Sequence, residues 1–511
     1  MIPGALTWAT LLAMVLFSWL LPVWVSVFII LFDTYWLLKT IFLSFHLRAT
    51  FTAMRANIKI DWLKKIEELP ARLAHEPSWR DIYHLVILPM YNEPYEVVKE
   101  SFESLVRANY PKERFIVVLA LEERAGESAR KVGERIEQEF GGTFYKFLIT
   151  VHPANLPAEI PGKGSNEAWA GARVKESIID PLKIDYKDIL VSVFDVDTQV
   201  LPEYFDRLAY VFLTTQDPLR AIYQPVPLFT NNIYDAPALA RVVSFSCTFW
   251  QMMQQSRPER LTSFSSQSIP FQTLVDIGFW QRDIVSEDSR IFWQGYFRYH
   301  GDFRVEPLFF PVRMDAPIAP TFWGALKNIY KQQRRWAWGA ENVPYLLDGF
   351  AKDAAAAKNS DGSSARKIAR RKRWYWTFNA IEGYHSWATN SLLIFALGWL
   401  PLFLGGHHFG TSLLAYNLPR ITRWIISLSM VGVASSAILA VLLLPPKRQA
   451  DDTPVGLGAG DYAIYVLQWI LMPFTLIAFG AMPGIEAQTR LMLGGKYKLG
   501  FWVTPKGRRV L

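Results

Sequence analysis

At 511 residues the chain has room for a large catalytic domain and a second region besides, and its apolar content (51% hydrophobic, 15% aromatic) gathers at the two ends, which makes it an integral membrane protein. Its formal net charge of +8 does not point to nucleic acid, because the basic residues cluster beside apolar spans, at Arg366 to Arg373 and Arg490 to Arg509. Those places suit the positive-inside rule and anionic lipid headgroups. The single cysteine, Cys247, excludes an internal disulfide framework or a cysteine-based zinc site, and its apolar neighbours mark a buried structural thiol.

From Pro3 to Phe45 the sequence is apolar apart from Asp33 and Lys39, far longer than the ~20 residues one crossing needs. Pro22 divides it, so residues 1–48 are expected to hold two membrane helices, near 4–21 and 22–43. No basic segment precedes them, so a cleavable signal peptide is not expected. Residues 49–83 read as an amphipathic connector. Short apolar runs then alternate with helical stretches such as 95–108 and 128–140: LVILPM (85–90), FIVVLAL (115–121), FLITVHP (147–153) and ILVSVFDVD (189–197). That alternation predicts an α/β domain with a mostly parallel sheet over 84–350. A basic linker (351–373) leads to a C-terminal membrane region (374–484) with apolar spans near 386–404, 422–444 and 462–482. Three crossings would export the basic tail 485–511, against the positive-inside rule. Either a fourth crossing lies in the aromatic stretch Trp374 to Trp387, or one segment is re-entrant, and the tail is expected on the cytosolic side with the catalytic domain.

Five segments carry the chemistry. Asp195 and Asp197, alternate residues at the end of an apolar strand, are expected to share one side and suit a divalent cation, Mg²⁺ or Mn²⁺, holding a diphosphate. Tyr91, Asn92 and Glu93 leave the first strand and enter a helix, where backbone N–H groups can receive a nucleotide. Gly162-Lys163-Gly164-Ser165-Asn166 opens another helix and offers a cation and an amide to phosphate or ribose. Ser286-Glu287-Asp288 precedes a helix and supplies a carboxylate for general-base work, Asp288 or its neighbour Glu287. Gln332, Arg335 and Trp336 lie on an amphipathic helix.

In this order the segments resemble the membrane-embedded branch of family 2 glycosyltransferases, which includes the bacterial cellulose synthase catalytic subunit and plant cellulose-synthase-like mannan synthases. The motifs span roughly residues 83–345, and Val503-Thr504-Pro505-Lys506-Gly507 extends the likeness loosely to the tail. The resemblance implies a GT-A-like nucleotide-sugar domain flanked by transmembrane helices. It implies a UDP- or GDP-linked donor, a polysaccharide or lipid-linked acceptor, and inverting transfer at the inner or plasma membrane. Asp195 and Asp197 would hold metal and diphosphate, Asp288 would be the base, and Gln332, Arg335 and Trp336 the Q-x-x-R-W signature, with Arg335 toward the donor and Gln332 and Trp336 toward the acceptor. That signature belongs with chain elongation, so a polysaccharide synthase is the preferred reading. Single transfer to a membrane lipid and an idle scaffold subunit are the alternatives. Two stretches depart from the pattern. Leu121-Glu122-Glu123-Arg124 stands where D-D-x-S is usual, placing Glu122 at the base or ribose, and Ser263 to Pro270 lacks the glycine or cysteine often found in the acceptor loop.

Overall fold

The computed structural model describes residues 2–69, 78–359, 367–448 and 454–506. Parts of five expected segments lie outside them: Met1 of the N-terminal segment, 70–77 of the connector, 360–366 of the linker, 449–453 of the C-terminal membrane region, and the tail from Gly507 onward, with Arg508 and Arg509. The N-terminal helices are α1 (Ile2–Leu20) and α2 (Pro22–Asn57), parted at the proline, whose ring cannot donate to the preceding turn. Helix α2 runs 36 residues, well past a ~30 Å hydrocarbon core. The connector expected from residue 49 therefore begins inside it, because nothing between Ala49 and Asn57 breaks a helix. Its last turns seat on the domain: Thr50 Oγ1 donates to the Met252 carbonyl (2.6 Å) and Asn57 Nδ2 to that of Phe309 (3.0 Å).

Each apolar run identified in the sequence lies at a strand: β1 (Tyr83–Met90), β2 (Phe115–Glu122), β3 (Lys146–His152) and β4 (Ile189–Val193). Helices α3 (Tyr95–Val106), α4 (Gly126–Phe140) and α5 (Lys163–Val174) follow the first three. Every residue of β2 is buried, as a parallel strand covered on both faces requires. Four further strands complete an eight-stranded mixed sheet of order β3-β2-β1-β4-β7-β6-β8-β5: β5 (Gln199–Val200), β6 (Ala221–Phe229), β7 (Gln267–Pro270) and β8 (Arg304–Met314). β1 to β4 are mutually parallel, as are β6 and β8. β7 runs antiparallel between β4 and β6, and β5 antiparallel to β8.

One expectation fails here. β4 stops at Val193, so Asp195 and Asp197 are placed by a turn, in which Thr198 N donates to the Asp195 carbonyl (2.8 Å), and not by strand alternation. The cause is long-range. Past Phe194, whose N–H still donates to the Ile87 carbonyl (3.1 Å), the chain leaves the β1 ladder and crosses to pair Gln199 with Arg313 at the opposite edge.

Helices α6 (Ala238–Gln255), α7 (Glu287–Arg298) and α8 (Phe322–Ala337) close the domain toward the membrane region. On α8 the buried residues Ala325, Ile329, Gln332, Gln333 and Ala337 recur at three- and four-residue steps, and the Thr321 hydroxyl caps the first turn by accepting from Gly324 N (3.1 Å). Three long helices follow: α9 (Arg370–Phe395), α10 (Leu413–Leu443) and α11 (Ala459–Leu493). Four helices among the described residues are long and apolar enough to cross a membrane, α1, α2, α10 and α11, and a fifth arises if α9 and Leu397–Leu404, bent by 48°, form one span. The aromatic stretch Trp374 to Trp387 is the body of α9 and not a separate helix. Helix α11 meets the domain at two places along its length. Gln468 Oε1 accepts from Arg241 Nε (2.7 Å) and Trp469 stacks on Phe249, while Glu486 accepts from Tyr330 (2.9 Å) and Arg334 (2.5 Å) of α8.

Candidate active site

The C-terminal ends of β1, β2 and β4, the start of α5, the first turn of α7 and the end of α8 surround a cleft of about 790 Å³. Of the residues singled out in the sequence, Tyr91, Glu93, Glu122, Lys163, Asp195, Asp197, Asp288, Gln332, Arg335 and Trp336 line it. Asn92, Asn166 and Glu287 do not. Asn166 is buried and its amide donates to the Ala120 carbonyl (2.7 Å), tying α5 to β2. The Asn92 backbone N–H, with that of Tyr91, donates to Glu93 Oε2 (3.1 and 2.8 Å), so Glu93 shapes the loop after β1 from within.

The two aspartates are held differently. Asp195 Oδ1 pairs with Lys163 Nζ at 2.8 Å. Burial works to raise this carboxyl, but Lys163, then Lys506, outweigh it and hold it well below the usual carboxylate range. Asp197 is fully buried; its Oδ2 accepts from Asp315 N (2.8 Å) and Lys506 Nζ (2.6 Å), while Oδ1 has no partner. That orphaned oxygen beside Asp195 suits a hard cation, which needs only one or two carboxylates when phosphates and water complete its shell. No group of three or more acidic, histidine or cysteine side chains around a common centre exists among the described residues. Lys506 sits on the same carboxylate. The sequence put the tail on the side of the catalytic domain without giving this lysine a role.

Around Lys163 the charge is unbalanced. Its Nζ lies 2.8 Å from Asp195, 3.5 Å from Glu167 and 4.0 Å from Glu287, all within a buried space. Burial, then the neighbouring Asp288 charge, pushes Glu287 up to about 8, and burial also raises Asp288 and Glu167. Glu287 therefore keeps its proton at neutral pH and does not line the cleft, whereas Asp288 does. Gly164 permits this crowding: a Cβ there would stand 2.8 Å from the Glu287 Cβ.

The first turn of α7 is fixed by residues that no local pattern marks. Glu341 Oε1 accepts from Val285 N (3.2 Å), Ser286 N (3.1 Å) and Ser286 Oγ (2.7 Å), and its Oε2 from the Trp338 indole (3.1 Å). The Asp288 carbonyl accepts from Ser263 Oγ (2.5 Å) and Gln267 Nε2 (3.1 Å), so the loop after α6 holds Asp288 directly. Within that loop Ser266 has φ 62°, in the left-handed region that glycine enters freely. Its hydroxyl pairs with Thr198 (3.0 Å), which helps hold a side chain in that conformation.

Trp336 lies between Phe229 and Phe264, ring centres 5.9 and 5.8 Å away, and forms an aromatic wall beside Asp288. Arg335 lies over Phe501 of the tail (4.7 Å), forms no ion pair among the described residues, and has a buried Nε without a partner. A cation so placed is available to an anion entering the cleft.

No family model matches the chain, and no curated protein does. Among solved structures it is similar to a mannosyltransferase from Pyrobaculum calidifontis in complex with GDP-Man and Mn²⁺, at 14% identity and TM-score 0.38, over 78% of this chain and 99% of that one. It is also similar to S. aureus TarS 1–349 in complex with UDP-GlcNAc, at 12% identity and TM-score 0.34, over 82% of this chain and 93% of that one. Likeness of this degree leaves function to the site itself.

Proposed function

We propose that the chain is a membrane-integrated, inverting glycosyltransferase that moves a sugar from a nucleotide sugar to a growing polysaccharide. The observation that carries the reading is the single cleft in which Asp195, Asp197, the unpaired Arg335 guanidinium, Asp288 and Trp336 all meet.

Asp195 and the free oxygen of Asp197 would hold a divalent cation, which when bound neutralises the leaving diphosphate. Arg335 adds a planar fork of donors for the same phosphates. Asp288 takes the proton from the acceptor hydroxyl as that oxygen attacks the anomeric carbon from the face opposite the diphosphate, so configuration inverts in one displacement. Trp336, flanked by Phe229 and Phe264, offers a flat apolar surface to the C–H face of an acceptor sugar, and Gln332 one turn earlier offers an amide to its hydroxyls.

The contacts of Gln468 and Glu486 return α11 to the domain side, so we read it as re-entrant or interfacial. With α1, α2, α9 and α10 crossing, the tail lies on the catalytic side, where Lys506 meets Asp197.

The test is incubation of the full chain in nanodiscs with UDP- and GDP-sugars and Mg²⁺ or Mn²⁺, reading nucleoside diphosphate release and product size. Metal-stimulated release with a lengthening product, abolished by Asp197→Ala, is expected. Near-normal metal-stimulated turnover in Asp197→Ala removes the assignment.

A further inference from the structure

The helical turn that carries Asp288 does not cap itself. Ser286 occupies the cap position of α7, yet its hydroxyl donates to Glu341 Oε1 (2.7 Å) and caps no backbone N–H. Asn342, the first residue of the helix Asn342–Asn359, spans the turn instead. Its Nδ2 donates to Ser289 Oγ (2.9 Å) and Ser286 Oγ (3.3 Å), the residues on either side of Glu287 and Asp288, and its Oδ1 accepts from Arg290 Nε (2.6 Å). Arg290 can only donate, and the two serine hydroxyls already donate to Glu341 and to the Ser286 carbonyl (3.2 Å). This point of the structure therefore needs one acceptor and two donors, a set that an amide supplies and a carboxylate or hydroxyl does not.

The same asparagine is reached from the membrane region. Tyr384 on α9 brings its hydroxyl to the Asn342 side chain and against Gly339, where a Cβ would stand 2.6 Å from it. Tyr384 is itself held at a fixed height. Its carbonyl accepts from Gln488 Nε2 of α11 (2.7 Å), and Gln488 Oε1 accepts from Thr7 Oγ1 of α1 (2.7 Å), both Gln488 and Thr7 being buried. One line of polar contacts thus joins α1, α11 and α9 to the turn that carries Asp288.

We propose that Asn342 is a positioning residue for the base and that Tyr384 couples it to the membrane helices, so that the packing of α1, α9 and α11 sets how far Asp288 reaches into the cleft. The inference rests on the glycosyltransferase reading above and deepens it. Neither Asn342 nor Tyr384 lines the cleft, so both act through the turn. What they govern is where the Asp288 carboxylate stands when the acceptor hydroxyl arrives, and a misplacement of about 1 Å is enough to cost roughly 10²-fold in rate. Donor binding rests on other elements, with Asp195 and Asp197 after β4 and Arg335 on α8, and is left in place.

A double-mutant cycle on the full chain in nanodiscs tests this, with Mg²⁺ and whichever UDP- or GDP-sugar the unaltered chain turns over. Asn342→Ala is expected to lower single-turnover transfer by roughly 10²-fold and Tyr384→Phe by roughly 2- to 30-fold, with nucleoside diphosphate affinity within about twofold of the parent in each. In an Asp288→Asn background, where no base remains to be aimed, neither change is expected to lower the residual rate further. A merely structural role predicts the opposite, losses that multiply onto that of Asp288→Asn. Melting temperatures check that each variant folds. Should Asn342→Ala fail to fold, Tyr384→Phe, which loses one hydroxyl and keeps its ring, carries the cycle. A parent rate in Asn342→Ala, losses that multiply in the Asp288→Asn background, or a fall in nucleotide affinity equal to the fall in rate overturns the positioning role and leaves sugar transfer intact. A parent rate in Tyr384→Phe alone overturns the coupling to the membrane helices. Failure of the unaltered chain to release nucleoside diphosphate from any donor removes the glycosyltransferase reading itself.

Discussion

Glu341 offers a test of whether the base turn is held from a distance, since it lies outside the cleft lining and its carboxylate accepts from Val285, Ser286 and Trp338 beside the buried Arg290 charge. Glu341→Ala strips the acceptor from two backbone N–H groups, one hydroxyl and one indole. A buried donor left unpaired costs about 1–3 kcal/mol, and the serine hydroxyl can turn elsewhere, so three orphaned N–H groups set a loss of about 3–5 kcal/mol, water reaching some of them. At about 2–4 °C per kcal/mol for a domain of this size, the melting temperature should fall by roughly 6–20 °C. Glu341→Gln keeps one carbonyl oxygen for Val285 and Ser286 and turns an N–H₂ toward the Trp338 indole, so it should lose only about 1–2 kcal/mol. Tryptophan fluorescence melting in nanodiscs reads both variants, and single-turnover transfer reads the displacement of Asp288. Donor affinity should stay near normal while the chemical step slows. If Glu341→Ala melts within about 2 °C of the parent and turns over at the same rate, the carboxylate does not organise the turn and the reasoning fails.

Asp288→Asn should retain nucleotide binding and lose turnover by roughly 10² to 10⁴, as removal of a general base does; a larger loss from Glu287→Gln would exchange the two roles. Glu287, pushed up to about 8, contributes stability that is complete below the ordinary glutamate value and is lost as pH rises through about 8. Melting curves across that window should therefore decline in the parent and flatten in Glu287→Gln, and identical pH dependence in the two would contradict the buried, protonated assignment. Trp336→Ala should impair sugar transfer more than donor hydrolysis, since water needs no aromatic platform; an equal fall in both rates would mark a structural tryptophan. Gly164→Ala pushes a methyl to 2.8 Å from the Glu287 Cβ and should cost about 1–3 kcal/mol, read as a lower melting temperature, with unchanged melting ruling out that close approach.

Local information was enough for much of this. The runs at β1 to β4 are apolar over a strand's length and bounded by turn residues, so their existence needs only nearest neighbours. The amphipathic period of α8 and the break before Pro22 are likewise short-range. What lay outside that range is set by pairing partners far away in the chain. β7 and β6 are short or interrupted by prolines, and become strands because β4 and β8 offer ladders to them. The placement of Asp195 and Asp197 depends on a crossing to β8, more than a hundred residues on, which strand alternation cannot encode. Glu341 carries no motif, and only folding brings its carboxylate to the donors of Val285 and Ser286. Hydropathy likewise reports that residues 459–493 are apolar enough to enter a membrane, but not that Gln468 and Glu486 within the segment meet Arg241 and Arg334 of the domain. Composition specifies what a segment can be buried in, and tertiary structure specifies which partner buries it.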